Sequence, residues 1–144
     1  MIVRAIATLS LLATVGACAS KGPSRDEIWS TIEGCDGNEL CSFATLIAEE
    51  YGKLVGKSLG QGISVKSAET DGKIVDLAFY VPDRIKNVPT TGGRTPSEEL
   101  TISAKKNLCS DPNTRRFFEI GGAMNFSTYL SSGERFSNST ITSC

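Results

Sequence analysis

Five cysteines, at positions 18, 35, 41, 109 and 144, constrain this chain more than any other feature. Cys18 stands apart, at the close of an apolar N-terminal run. The other four, Cys35, Cys41, Cys109 and Cys144, are an even set that can pair fully in an oxidising compartment. Four cysteines allow three connectivities; the short spacing of Cys35 and Cys41 and the terminal position of Cys144 favour Cys35 with Cys41 and Cys109 with Cys144. Loop-closure entropy gives the longer bridge about 3–4 kcal/mol and the shorter one nearer to about 2 kcal/mol. A zinc site is not expected, because the chain has no histidine and no CxxC spacing. The spacing of Cys35 and Cys41 is also too wide for a thioredoxin-type redox pair.

The N-terminal run explains the odd cysteine. Arg4 supplies a positive charge, and Ala5 to Val15 is apolar apart from Thr8, Ser10 and Thr14, a length that suits a secretory signal and is too short to span a bilayer as a stable helix. The next residues, Val15-Gly16-Ala17-Cys18, resemble the lipobox of bacterial lipoproteins: an aliphatic residue, two small ones, then the cysteine that is acylated. The resemblance implies cleavage before Cys18 and palmitate-type acylation of that residue. Ala19, in place of an aspartate, implies sorting to the outer membrane, with the domain facing the periplasm. Each buried methylene group contributes about 0.8 kcal/mol, so two or three acyl chains anchor a small domain without a transmembrane helix. The expected organisation is a signal peptide over 1–17, a lipidated tether over 18–23 and a single domain over 24–144.

The chain carries 15 basic and 16 acidic residues, and loss of Arg4 with the signal leaves a small acidic excess. Neither a nucleic-acid partner nor a polybasic membrane patch is expected.

Ser24-Arg25-Asp26-Glu27 has the form of a capping box, predicting a short helix through Ile28, Trp29 and Ile32 that stops at Gly34. A longer helix is predicted from Glu39 to about Leu59, with Leu40, Phe43, Ala44, Ile47, Tyr51, Leu54 and Val55 at three- and four-residue spacing. Residues Gly62 to Glu69 and Lys73 to Val81 read as a hairpin around Asp71-Gly72, with Val75, Leu77, Phe79 and Val81 turned to the core. Pro82 ends the pairing. Thr95-Pro96-Ser97-Glu98 is a second capping box, opening a helix that carries Leu100, Ile102, Ala104 and Leu108. Asp111 then caps a helix whose first residue is Pro112, stopped by Gly121-Gly122. Ala123 to Leu130 alternates as a strand, and after Ser131-Ser132-Gly133 the chain returns through Arg135 toward Cys144. The expected fold is α+β: a four-stranded, mainly antiparallel sheet with helices on one face, in the order ααββααββ.

The run from Leu108 to Cys144 resembles the C-terminal half of the beta-type pilotins of type II secretion systems. In those proteins a cysteine, a small residue and Asp-Pro start a short helix, followed by a glycine, a strand, a turn and a last strand that ends in the partner cysteine. The matching residues are Cys109, Asp111, Pro112, Gly121, Gly133 and Cys144. The likeness extends over about residues 40 to 144, with sharp motifs in the last third. The Cys35 and Cys41 pair and the extra first helix depart from that pattern.

The resemblance implies a non-enzymatic binding module that captures a segment of a secretin subunit and carries it to the outer membrane by its own lipid. Such a segment would fold as an amphipathic helix or an added strand against an apolar groove. Tyr51, Tyr80 and Tyr129, the aromatics that the core pattern does not need, are the candidate groove residues. The alternative is a periplasmic structural or inhibitory lipoprotein with another partner. An enzyme is not expected, because nothing resembles a nucleophile elbow and the commonest general base is missing. The acidic pair Glu49-Glu50 does not replace it, since adjacent helical residues point about 100° apart. No cofactor is expected.

Overall fold

Asn38 begins the first helix of the structure, its side-chain oxygen accepting from the Cys41 N–H at 3.1 Å. The computed structural model describes residues 34–144. The expected signal peptide, Cys18, the tether and the helix through Ile28, Trp29 and Ile32 lie outside the described residues. Helix α1 runs over Glu39–Gly52. A disulfide between Cys35 and Cys41, with Cα atoms 5.5 Å apart, closes the turn before it onto its first turn. Cys109 and Cys144 form the second bridge, with Cα atoms 5.7 Å apart.

Helix α1 stops at Gly52, not near Leu59 as its apolar spacing predicts. Residues beyond Gly52 are taken up by the sheet instead: Val55 bridges Val65, and the Gly56 N–H donates to the Val65 carbonyl at 2.9 Å. Gly56, at φ +76°, turns the chain into that pairing. Ser58–Gly60 then forms a short edge strand, β1.

Strands β2 (Ile63–Thr70) and β3 (Ile74–Val81) make the expected hairpin. The Asp71 carboxylate accepts from the N–H groups of Lys73 and Ile74 at 2.8 and 2.7 Å, and Gly72 takes φ +89°. A 3-10 turn over Asp83–Asn87 follows, then α2 (Pro96–Leu108) and α3 (Pro112–Glu119). Of the three expected caps, the two among the described residues are present: Thr95 and Glu98 form a reciprocal capping box, and Asp111 accepts from the Thr114 N–H at 2.8 Å. Strands β4 (Ala123–Leu130) and β5 (Arg135–Ile141) complete the described elements.

The sheet corrects the expected one in two respects. It has five strands in the order β1-β2-β3-β4-β5, and its central pair, β3 with β4, is parallel, from Ile74 beside Ala123 to Val81 beside Leu130. The sheet is therefore mixed, and the order from α1 onward is αβββααββ. Turn signals in the sequence report only hairpins. The β3–β4 connection carries two helices, long enough for the crossover that parallel strands require, and no local signal marks which strand the chain rejoins.

The three described helices lie on one side of the sheet, as expected. Val75, Leu77, Phe79 and Val81 of β3 are buried under them, beside Met124, Thr128 and Leu130 of β4 and Ile141 of β5. The opposite face is a polar ladder, in which Asn125 donates to Asp76 at 2.7 Å and accepts from Thr140 at 2.8 Å.

Candidate functional site

Helix α2 is fastened at its ends and stands clear of α1 along its middle. Its start is closed by the capping box and its end by the buried Leu108 and the Cys109 bridge. Between them Thr101 Oγ1 donates to Ser139 Oγ on β5 at 3.2 Å. Leu108 is the single buried residue of the helix, although Leu100 and Ala104 share its stripe. The sequence places these residues on one helix, and the structure makes them one wall of a groove.

The floor of the groove is Leu77 and Phe79 of β3 with Phe126 and Thr128 of β4. Leu100, Ala104 and Leu108 form the α2 wall, Tyr51 the α1 wall, and Leu59 the lip, giving a volume of about 450 Å³. A second depression of about 670 Å³ continues along α1 past Leu46, Ile47, Glu50 and Leu54 to Asp111 and Asn113. The two share Tyr51, Leu59, Asn107 and Leu108, so they form one groove. Leu59, 47 % exposed at the lip, offers apolar surface that nothing described covers.

Tyr51 packs edge-on against Phe79, with ring centroids 6.2 Å apart. Burial pushes its hydroxyl pKa above the ordinary value, and the carboxylates of Asp111 and then Glu50 push it further. Those two are the charged residues among the lining, and no lysine or arginine lines either part.

The structure places one of the three sequence-selected tyrosines in this groove. Tyr80 and Tyr129 sit side by side on the opposite face of the sheet, with centroids 6.4 Å apart. There Lys66 Nζ lies 4.4 Å above the Tyr129 ring, and Arg135 donates to the Tyr129 hydroxyl at 3.3 Å. The three candidate tyrosines therefore do not share one groove. The reason is strand alternation: with Phe79 and Val81 facing inward, Tyr80 must face out, and Tyr129 follows it through the parallel register. Leu59, Asn107, Phe126 and Glu50 are lining residues that sequence reasoning did not select. Only the turn after Gly52 and the β3–β4 pairing bring them to one place, and neither is visible locally.

Several solved structures share this fold. The pilotin EpsS of the Vibrio vulnificus type 2 secretion system matches with a TM-score of 0.57 at 17% identity, over 72% of this chain and 88% of that one. The type II secretion pilotin AspS of Vibrio cholerae matches with a TM-score of 0.51 at 18% identity, over 76% and 96%. A protein of Pseudomonas aeruginosa matches with a TM-score of 0.55 at 13% identity, over 72% and 88%. No family model and no curated protein matches the sequence. At these identities the likeness establishes a pilotin-like fold.

Proposed function

We propose that this protein is a pilotin-like lipoprotein, a non-enzymatic module that captures a segment of a secretin subunit in the groove between α1 and α2. The observation that carries the reading is the coincidence of the pilotin-like fold with a groove whose apolar lining continues to an exposed lip. Acylation at Cys18 would tether the single domain to the outer membrane and carry the partner there. No helix among the described residues is long and apolar enough to cross a membrane, so attachment of this part of the chain calls for a lipid or a partner.

The floor selects the form of the captured segment. Strands β3 and β4 each pair on both sides, so their backbone groups are already used. A segment lying over them must satisfy its own backbone hydrogen bonds, as an amphipathic helix does. Tyr51 is the sequence-selected residue placed to contact it. Tyr80 and Tyr129 belong to a different surface.

The test is retention of envelope proteins from a detergent extract on the full-length tagged protein with its disulfides intact. The expected result is a secretin among the specific partners, weakened by Tyr51→Ala and unchanged by Tyr129→Ala. Retention of a different envelope protein or of cell wall would replace the transport role with that of a structural or inhibitory lipoprotein. The Pseudomonas aeruginosa protein, alike in fold and not named as a pilotin, motivates that second reading.

A further inference from the structure

We propose that the segment captured in the groove presents a lysine or arginine to Glu50 and Asp111, and that this acidic end sets the direction in which the segment lies. The inference rests on the groove reading above and adds a specificity to it.

The groove is electrically one-sided. Its floor, walls and lip from Leu100 and Val81 to Leu108 carry no charge, whereas the far depression ends on two carboxylates with no basic residue in the lining. Glu50 lies on the last turns of α1 and Asp111 on the cap of α3. They belong to different elements that converge beside Tyr51, whose hydroxyl both carboxylates hold protonated to higher pH. Neither forms an ion pair with a described residue. One oxygen of Asp111, Oδ2, is used by Thr114, which donates to it from N and from Oγ1, both at 2.8 Å. Both residues are exposed, and neither the second oxygen of Asp111 nor the Glu50 carboxylate accepts a side-chain hydrogen bond from a described residue.

An apolar helix seated in the groove would strip water from these carboxylates and return nothing for it. An acidic side chain there would add repulsion, while a cation restores the lost hydration as charge-assisted hydrogen bonds. The opposite end has no charge to pair, so a helix with its basic residue at the wrong end gains the apolar contacts alone. Charge placement of this kind sets register and direction more than total affinity.

The experiment uses the full-length protein immobilised in detergent, with the secretin of the envelope extract as probe, as sodium chloride is raised from about 0.05 to about 0.5 M. The variants are Glu50→Gln, Asp111→Asn, the two combined, and Glu50→Lys. Asparagine is as good a helix cap as aspartate, so Asp111→Asn preserves the start of α3, and far-ultraviolet circular dichroism checks the fold of each. The wild type is expected to lose secretin steadily with salt. The double variant should retain about fivefold less at low salt with a flattened salt dependence, and Glu50→Lys less again. Equal retention and equal salt dependence across the series would overturn the inference and leave the pilotin reading standing. If the wild type retains no secretin at any salt, the pilotin reading falls and this inference falls with it.

Discussion

Gly122 lies flat against the ring of Phe117: a Cβ on this glycine would fall among the ring atoms Cε2, Cζ and Cδ2. Phe117 is fully buried, and the Gly122 N–H donates to its carbonyl at 2.9 Å, so neither partner has room to withdraw. This contact sets the distance between α3 and the start of β4. Gly122→Ala is expected to destabilise the fold by about 2–3 kcal/mol through overpacking, read as a lower urea midpoint with an unchanged slope. Gly121→Ala meets no atom and is strained by its φ of +96° alone, so it should cost less.

Ser42 is the reverse case. Its hydroxyl is fully buried on α1 and has no hydrogen-bond partner among the described residues. Ser42→Ala removes an unsatisfied polar group with little change of volume, and is expected to raise stability by about 1 kcal/mol in thermal or urea unfolding.

The two disulfides should separate by loop length. Replacing Cys109 and Cys144 by serine opens a loop of sequence separation 35, and replacing Cys35 and Cys41 opens one of 6. The first pair is expected to cost about 3–4 kcal/mol and the second nearer to about 2 kcal/mol, compared by chemical denaturation of the oxidised parent and each double variant.

Acid should weaken the β2–β3 hairpin and the start of α2 together. Backbone N–H donors of Ile74 and then Lys73 hold the Asp71 carboxyl below its ordinary value of 3.8. The backbone N–H of Thr95, then its hydroxyl, holds Glu98 below its ordinary value of 4.5. A carboxyl whose pKa is depressed by folding contributes stability above its unfolded value and loses it as pH falls through its folded value. The melting temperature is therefore expected to drop on acidification below these ordinary values, and Asp71→Asn with Glu98→Gln should flatten that drop.

Cys18 carries the proposal of membrane attachment. Cys18→Ser is expected to abolish incorporation of labelled palmitate and to shift the protein from the membrane fraction to the soluble periplasmic fraction, with no change in the melting of the domain. Unchanged membrane association would remove the lipid from the account.

The turn at Asp71 and the caps at Thr95 with Glu98 and at Asp111 were legible because each joins a side chain to its own backbone within four residues. Strand faces were legible too, because alternation survives whichever neighbour a strand chooses. The end of α1 was not. Leu54 and Val55 continue the helical period after Gly52, and only their capture by β2 overrides it. Nor was the groove, because Tyr51, Leu59, Leu100 and Phe126 are brought together by tertiary placement. The sequence patterns also cannot distinguish a stripe that meets the core from one that stops short of it, and Leu100 and Ala104 on α2 are of the second kind.

The parallel pairing of β3 with β4 has a consequence for the timing of capture. These strands are separated in sequence by α2 and α3, yet the rings of Phe79 and Phe126 lie with centroids 5.0 Å apart in the floor of the groove. A chain that has made only its hairpins therefore lacks the floor of this groove. On the proposed function, cargo would be held on that floor only by molecules in which β3 and β4 have already paired, and occupancy would favour that form by mass action. Under that proposal recognition would act as an inspection step, in which a half-folded carrier is passed over without any separate device to reject it.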